Sequence, residues 1–155
     1  MSDIILWRHA DAEPGLPDLE RKLTRKGKKQ AARMGAWLDQ QLPDTCKVLC
    51  SPAQRALQTV EGLGRKFKVC PPLAPDMGIE SALQTLQAEP GKLLLVVGHQ
   101  PTLGQLASLL LTGSAQDWTL RKGSILWLAR HKEEEDGAER GYYIKAALQA
   151  DMADT

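Results

Sequence analysis

The sequence has few cysteines, little excess charge and few aromatic residues, and these absences exclude several classes of protein. The cysteines are Cys46, Cys50 and Cys70. They form neither a C-x-x-C pair nor a zinc pattern, and an odd number is a poor disulfide framework, so we expect buried or half-buried free thiols. A formal net charge of +1 gives no overall reason to expect nucleic acid or a membrane surface as partner.

The chain also lacks any long hydrophobic run. No apolar stretch approaches the roughly 20 residues that span a bilayer, and the N-terminus has no signal-peptide pattern. We therefore expect a cytoplasmic protein. A length of 155 residues with 43% hydrophobic residues suits one globular domain. We predict a single domain over residues 1–150 and a frayed tail over residues 151–155.

Strand-like and helical patterns alternate along the chain, which predicts an α/β fold: a three-layer sandwich with a mostly parallel central sheet and helices on both faces. The charged segment "RHKEEEDGAERG", which contains His131, is interpreted as a solvated hairpin connection without a site. The predicted strands are "DIILWR", "KVLC", "FKVC", "LLLVV", "SILWLA" and "YYIKAAL".

Two helix starts can be predicted from local signals. Thr24 is a plausible N-cap for the first helix. For the second helix, Ser51 can cap, Pro52 suits the first helical position and Gln54 completes a capping box. We expect the apolar face of this second helix to extend as far as Phe67.

Polar residues follow three of the predicted strands at the point where each strand ends. His9 ends the first strand, Ser51 and Arg55 follow the second, and His99 follows the fourth. In open sheets of this kind, ligands bind at the carboxyl ends of the strands. We therefore expect these residues to share one rim of the sheet.

Two histidines and two arginines suit a phosphoryl group. Arg8 and Arg55 can clamp its oxygens bidentately, and a neutral His9 is a good nucleophile for phosphorus. His99, if protonated, can donate to the transferring group, and the start of the second helix adds its positive dipole end. This scheme requires neither a metal nor a cofactor.

The segments "LWRHA", "SPAQRALQT" and "VVGHQPT" resemble, in order and spacing, the signature of the histidine phosphatase superfamily. The stretch "RKLTRKG" and the small size are most similar to phosphohistidine phosphatases of the SixA type. The resemblance implies that His9 is transiently phosphorylated and that Arg8, Arg55 and His99 complete the phosphate pocket, with a weaker phosphate or substrate role for Arg21. Ala10, where the superfamily commonly has glycine, matches the small SixA-type members.

Many members of the superfamily also use a carboxylate as general acid. The candidates Asp11, Glu13, Asp76 and Glu80 are interpreted as solvated loop residues. The imidazole of a phosphohistidine can leave as a neutral ring if it is already protonated, so it needs such an acid less. We therefore predict a phosphohistidine on a partner protein as substrate. A phosphatase of small esters, such as sugar or nucleotide phosphates, and a non-catalytic phosphate-binding module remain as alternatives. The oligomeric state stays open.

Basic residues crowd the start of the first helix, where the helix dipole favours acids. They are either a solvated face or a docking surface for an acidic, phosphorylated partner. This group holds seven of the 20 Lys and Arg residues: Arg21, Lys22, Arg25, Lys26, Lys28, Lys29 and Arg33.

Overall fold

The computed structural model describes residues 1–131 and 141–153. The predicted loop "RHKEEEDGAERG" falls mostly on residues 132–140, outside the described residues. Three short 3-10 turns, at Asp18–Glu20, Pro71–Leu73 and Ala150–Met152, accompany the main elements. Those main elements are β1 (Asp3–Arg8), α1 (Arg25–Gln41), β2 (Lys47–Cys50), α2 (Gln54–Glu61), β3 (Lys68–Val69), α3 (Gly78–Ala88), β4 (Leu93–Gly98), α4 (Thr102–Thr112), β5 (Ile125–Arg130) and β6 (Tyr142–Leu148).

The strands of the described chain form one mixed sheet in the order β3-β2-β4-β1-β5-β6. β1, β2, β3 and β4 are parallel, whereas β5 and β6 pair in the antiparallel sense at one edge. β4 is buried at every position, as expected for a central strand covered on both faces. The prediction of a mostly parallel sheet is confirmed.

Helices cover both faces of this sheet, which confirms the three-layer α/β sandwich. Alternate residues of a strand point to opposite faces, so the sheet supplies two cores. On one face α1 and α2 pack on Ile5, Trp7 and Leu95. On the other face α3 and α4 pack on Leu6 and Val96.

The start of α1 is held against the loop that follows β1. Thr24 is the N-cap, as predicted, and its Oγ1 accepts a hydrogen bond from the Gly27 N–H. A Cβ at Gly27 would lie 1.9 Å from the carbonyl oxygen of Asp11, so glycine alone permits this backbone contact. The beginning of α1 is therefore fixed next to the residues that follow β1.

The predicted start of α2 is wrong. The helix begins at Gln54 with Ala53 as its N-cap residue. The Ser51 hydroxyl accepts from the Ala53 N–H at 3.2 Å within a turn and also contacts a histidine on a neighbouring strand end, so it does not cap a helix at Pro52. α2 is also shorter than predicted: it ends at Glu61, so Phe67 lies beyond the helix and is partly exposed.

Two further details differ from the sequence prediction. The third strand is shorter than "FKVC" and covers only Lys68–Val69. The 3-10 turn Ala150–Met152 is followed by Ala153, which is buried in the core, so the frayed tail predicted from residue 151 does not describe residues 151–153. No helix in the described ranges combines the length and apolarity needed to cross a membrane.

Candidate active site

Three neighbouring parallel strands bring the predicted residues to one edge of the sheet. β4 lies between β1 and β2, and the pairing continues past the strand ends. The His9 N–H donates to the Gly98 carbonyl at 3.1 Å, and the Ser51 N–H donates to the Val97 carbonyl at 3.0 Å. The rings of His9 and His99 therefore meet, with their centroids 5.1 Å apart.

The ring of His9 is held in one tautomer by the backbone. Its Nδ1 lies 2.8 Å from the carbonyl oxygen of Ala10, which can only accept, so Nδ1 carries the proton and donates. Burial lowers the pKa of His9 to about 4; the bond to Ala10 opposes this shift, and the charges of Arg55 and Arg8 add to it. At neutral pH the imidazole is uncharged, and its Nε2 keeps a free electron pair.

His99 is also uncharged in the free site. Burial, followed by the neighbouring His9 and Arg55, lowers the pKa of His99 to about 3. Its Nε2 lies 2.7 Å from Ser51 Oγ, while its buried Nδ1 has no hydrogen-bond partner among the described residues. The protonated His99 considered from the sequence therefore does not describe the free site.

Arg8 and Arg55 bring positive charge to the same edge. Nη1 of Arg8 donates to the Leu120 carbonyl at 2.8 Å, and burial lowers the pKa of Arg8. Arg55 is almost completely buried, and its Nη1 donates to the Asp18 carbonyl at 2.8 Å. The buried Nε atoms of both arginines have no acceptor within the described part of the chain. Such unpaired donors suit an anionic ligand.

Asp18, a carboxylate that was not predicted from the sequence, contacts two of the arginines. Oδ2 of Asp18 accepts from Arg55 Nη2 and Oδ1 accepts from Arg21 Nη1, each at 3.1 Å. Burial raises the pKa of the Asp18 carboxyl, but hydrogen bonds from Arg21 and Arg55 outweigh burial and lower that pKa. Asp18 stands three residues before Arg21, an ion-pair spacing that could have drawn attention to it.

Arg21 thus lies at the rim of the site. Its Nε also donates to the Glu13 carbonyl at 2.7 Å, which ties the loop after β1 together. Its charge is close enough to contribute to the low pKa of His9, after the larger effects of burial, Arg55 and Arg8. The structure therefore brings Arg21 together with Arg8, Arg55 and the two histidines.

The carboxylates considered as general acids are engaged elsewhere or exposed. Asp11 accepts from Thr24 Oγ1 at 2.7 Å and from Lys122 Nζ at 3.1 Å. Those hydrogen bonds lower the pKa of the Asp11 carboxyl. The side chains of Glu13, Asp76 and Glu80 are exposed.

Thr59 connects the backbone of the first motif to that of the second. This fully buried residue of α2 accepts from the Ala10 N–H at 3.0 Å and donates to the Arg55 carbonyl at 2.7 Å. His131 lies away from this network, where its ring contacts Tyr143 at the end of β5 and β6. Within residues 1–131 and 141–153, no group of three or more His, Cys, Asp or Glu side chains is placed to hold a metal ion.

Phosphoryl-transfer enzymes use sites in which a neutral histidine is held in one tautomer close to arginines. Comparison with known proteins agrees with this interpretation. The chain belongs to the histidine phosphatase superfamily, whose branch 1 model matches residues 4–78. It is a phosphatase of that superfamily and is similar to the phosphohistidine phosphatase SixA of Escherichia coli. The two are 36% identical over 120 residues, which cover 71% of this chain and 74% of that relative.

Solved structures extend the comparison to almost the whole chain. A protein histidine phosphatase SixA complexed with tungstate matches with a TM-score of 0.75 and 26% identity, covering 96% of this chain and 97% of the other. A phosphoserine phosphatase from Entamoeba histolytica in complex with phosphoserine matches with a TM-score of 0.67, covering 97% of this chain and 98% of the other. At 14% identity, the second match shows a shared fold alone.

Proposed function

We propose that this protein is a phosphohistidine phosphatase that removes phosphate from a phosphorylated histidine of a partner protein through a covalent intermediate on His9. The observation that carries the proposal is the 2.8 Å hydrogen bond from His9 Nδ1 to the Ala10 carbonyl, which leaves Nε2 free in a ring whose pKa is about 4. A neutral imidazole with a fixed free nitrogen is prepared to attack phosphorus without prior loss of a proton.

The reaction has two displacements. In the first, the electron pair of His9 Nε2 forms a bond to phosphorus while the P–N bond to the substrate imidazole breaks, and that imidazole leaves with the electron pair of the broken bond. In the second, water attacks phosphorus, the P–Nε2 bond breaks, its electron pair returns to His9, and both protons of the water leave with the phosphate as dihydrogen phosphate. His9 is thereby restored.

The remaining residues stabilise the phosphoryl oxygens. Arg8 and Arg55 each have a buried Nε–H without an acceptor, and His99 has a buried Nδ1 without a partner. If the Ser51 hydroxyl donates to His99 Nε2 across their 2.7 Å contact, the ring proton of His99 stands on Nδ1 and can be donated to a phosphoryl oxygen. Fixed donors of this kind lower the barrier where charge develops. The tungstate bound by a SixA relative supports an oxyanion pocket.

The ionisation and the contacts of the carboxylates favour a substrate with a P–N bond over a phosphate ester with a P–O bond. An alkoxide leaving group benefits from a positioned acid, whereas a substrate imidazole protonated on its other nitrogen leaves as a neutral ring. Asp18, the carboxylate that contacts Arg55, is held ionised by its hydrogen bonds and has no proton to give at neutral pH. Asp11 is held by Thr24 and Lys122.

Trapping of the intermediate tests the proposal. The purified protein is mixed with a phosphohistidine-containing peptide and denatured in alkali, and the mass of the peptide containing His9 is measured. We expect an acid-labile phosphate on His9 that is absent from His9→Asn, in which an amide can still donate to the Ala10 carbonyl. Binding of phosphate without transfer to His9 would instead indicate a phosphate-binding module.

A second assay decides the substrate class. Rates are compared for the phosphohistidine peptide, p-nitrophenyl phosphate and sugar phosphates under the same conditions. We expect the largest kcat/KM for the phosphohistidine peptide, because its leaving group needs no enzyme acid. A clear preference for the esters would replace the proposed substrate with a small phosphate ester while leaving the intermediate on His9 intact.

A further inference from the structure

A basic cavity lies between the first turns of α1 and the segment that precedes β5. Its volume is about 500 Å³. The segment before β5 contributes positive side chains that the sequence does not place near α1. The basic residues that line this cavity are Arg25, Lys26, Lys29, Arg33, Arg121 and Lys122.

The lining of this basic cavity is electrostatically unbalanced. Asp151 is the acidic residue among those that line it, and only part of the positive charge is compensated: Lys122 is paired with Asp11, and Arg33 donates to the Asp151 carbonyl. Arg25, Lys29 and Arg33 stand four residues apart along one side of α1, a spacing at which like charges repel. Arg25 also stands in the first turn of α1, at the positive end of the helix dipole. Folding therefore concentrates positive charge here at a cost in helix stability, which an anionic ligand would relieve.

The basic cavity is linked by hydrogen bonds to the backbone that carries the active site. Lys122 donates to Asp11, two residues after His9, at 3.1 Å. The N–H of Gly123 is shared between the carbonyl oxygens of Arg8 and His9, at 3.1 Å each. The cavity is therefore connected to the backbone of His9 through the neighbouring residues Lys122 and Gly123.

We infer that the basic cavity docks an acidic segment of the phosphorylated partner protein; this rests on the proposed function. The dimensions favour a segment over a small ion. Arg25 and Arg33 are eight residues apart on α1, which corresponds to about 12 Å along the helix axis. That length is greater than a single phosphate group and matches several residues of an extended acidic chain. Complementary charge would raise the rate and specificity of docking.

A pair of phosphohistidine peptides tests the inference. The two peptides are identical except that one carries a flanking segment of Asp and Glu and the other carries Asn and Gln at the same positions. The cavity variant is K26Q/K29Q/R121Q. The control variant K28Q/K66Q/K92Q removes the same charge from exposed lysines that do not line the basic cavity, one of them also on α1.

For the unmodified protein at low ionic strength, we expect kcat/KM to be about tenfold higher for the acidic than for the neutral peptide. The cavity variant should lower this ratio towards one, whereas the control variant should keep it. Added salt should lower the ratio for the unmodified protein more than for the cavity variant. Equal ratios in the two variants, or an equal loss of rate on both peptides, would overturn the inference.

A binding measurement separates this inference from the proposed function. Fluorescence anisotropy with the unphosphorylated acidic peptide should show weaker binding to the cavity variant than to the control variant, whatever the enzyme hydrolyses. Unchanged peptide binding would overturn the docking site. Inorganic pyrophosphate serves as a competitor: if it displaced the peptide and bound more tightly, the cavity would be a small-anion site and the inference would be wrong.

Discussion

The low pKa of His9 has a consequence for stability that can be measured. The ring is buried and uncharged in the folded protein, with a pKa of about 4, whereas an unfolded histidine has a pKa of 6.5. Above pH 6.5 neither state binds the proton, and the stability is fully present. As the pH falls from 6.5 towards 4, the unfolded chain gains a proton that the folded protein excludes, so stability is lost.

The magnitude follows from the two pKa values. At pH 4.5 protonation stabilises the unfolded imidazole by about 3 kcal/mol and the folded imidazole by less than about 1 kcal/mol. Between pH 7.5 and pH 4.5, His9 should therefore remove about 2–3 kcal/mol from the free energy of unfolding. Because the ring is 7% exposed, solvent screening reduces this figure little.

Urea denaturation of the unmodified protein and of His9→Asn, each at pH 7.5 and pH 4.5, measures this contribution. The carboxylates titrate in both proteins, so the difference between the two pH-dependent losses reports His9 together with the effect of His9 on the pKa of His99. We expect the unmodified protein to lose about 2–3 kcal/mol more than the variant on acidification. Equal losses, or an NMR titration that places the pKa of His9 near 6.5, would refute the reasoning.

Two further predictions concern residues that support the site. Thr59→Val leaves the buried Ala10 N–H without its acceptor and should lower the free energy of unfolding by about 1–3 kcal/mol. Urea denaturation measures this loss. Thr59→Ser keeps the hydroxyl and should retain most of the stability. Ser51→Ala removes the hydrogen-bond partner of His99 Nε2. We expect kcat for a phosphohistidine peptide to fall about tenfold with little change in KM. Ser51→Thr keeps the hydroxyl and should recover most of kcat. A larger effect of Ser51→Ala on KM than on kcat would contradict the role given to His99.

The meeting of the two histidines could be predicted from the sequence because the ends of neighbouring parallel strands lie at one edge of a sheet. Strand patterns are local, and so is the N-cap signal of Thr24, which the structure confirms. The start of α2 could not be predicted in this way. Its local capping signal at Ser51 competes with a contact to His99, 48 residues away, which no local pattern reveals.

Other features of the site depend on how distant segments fold together. Asp18 reaches Arg55 because the loop after β1 turns back over the start of α2, a path that residue types alone do not specify. Lys122, which precedes β5, contacts Asp11, which follows β1. The antiparallel pairing of β1 with β5 brings these two segments together and so places Lys122 near the basic residues of α1. The sequence therefore predicted which residues meet at the rim better than it predicted the partners of those residues.

The ion pair between Asp18 and the two arginines has a consequence for catalytic turnover. The free enzyme already holds an internal anion against Arg55 and Arg21. Under the proposed function, a phosphoryl group can take the Nη donors that Asp18 occupies only by exchange, whereas the Nε–H of Arg55 is available without exchange. The net gain from the exchanged donors is the difference between the affinities of the two anions. Under the same proposal, this exchange favours product release, because Asp18 competes with free phosphate for the arginines. Strong binding of the transition state is thereby compatible with rapid release of phosphate.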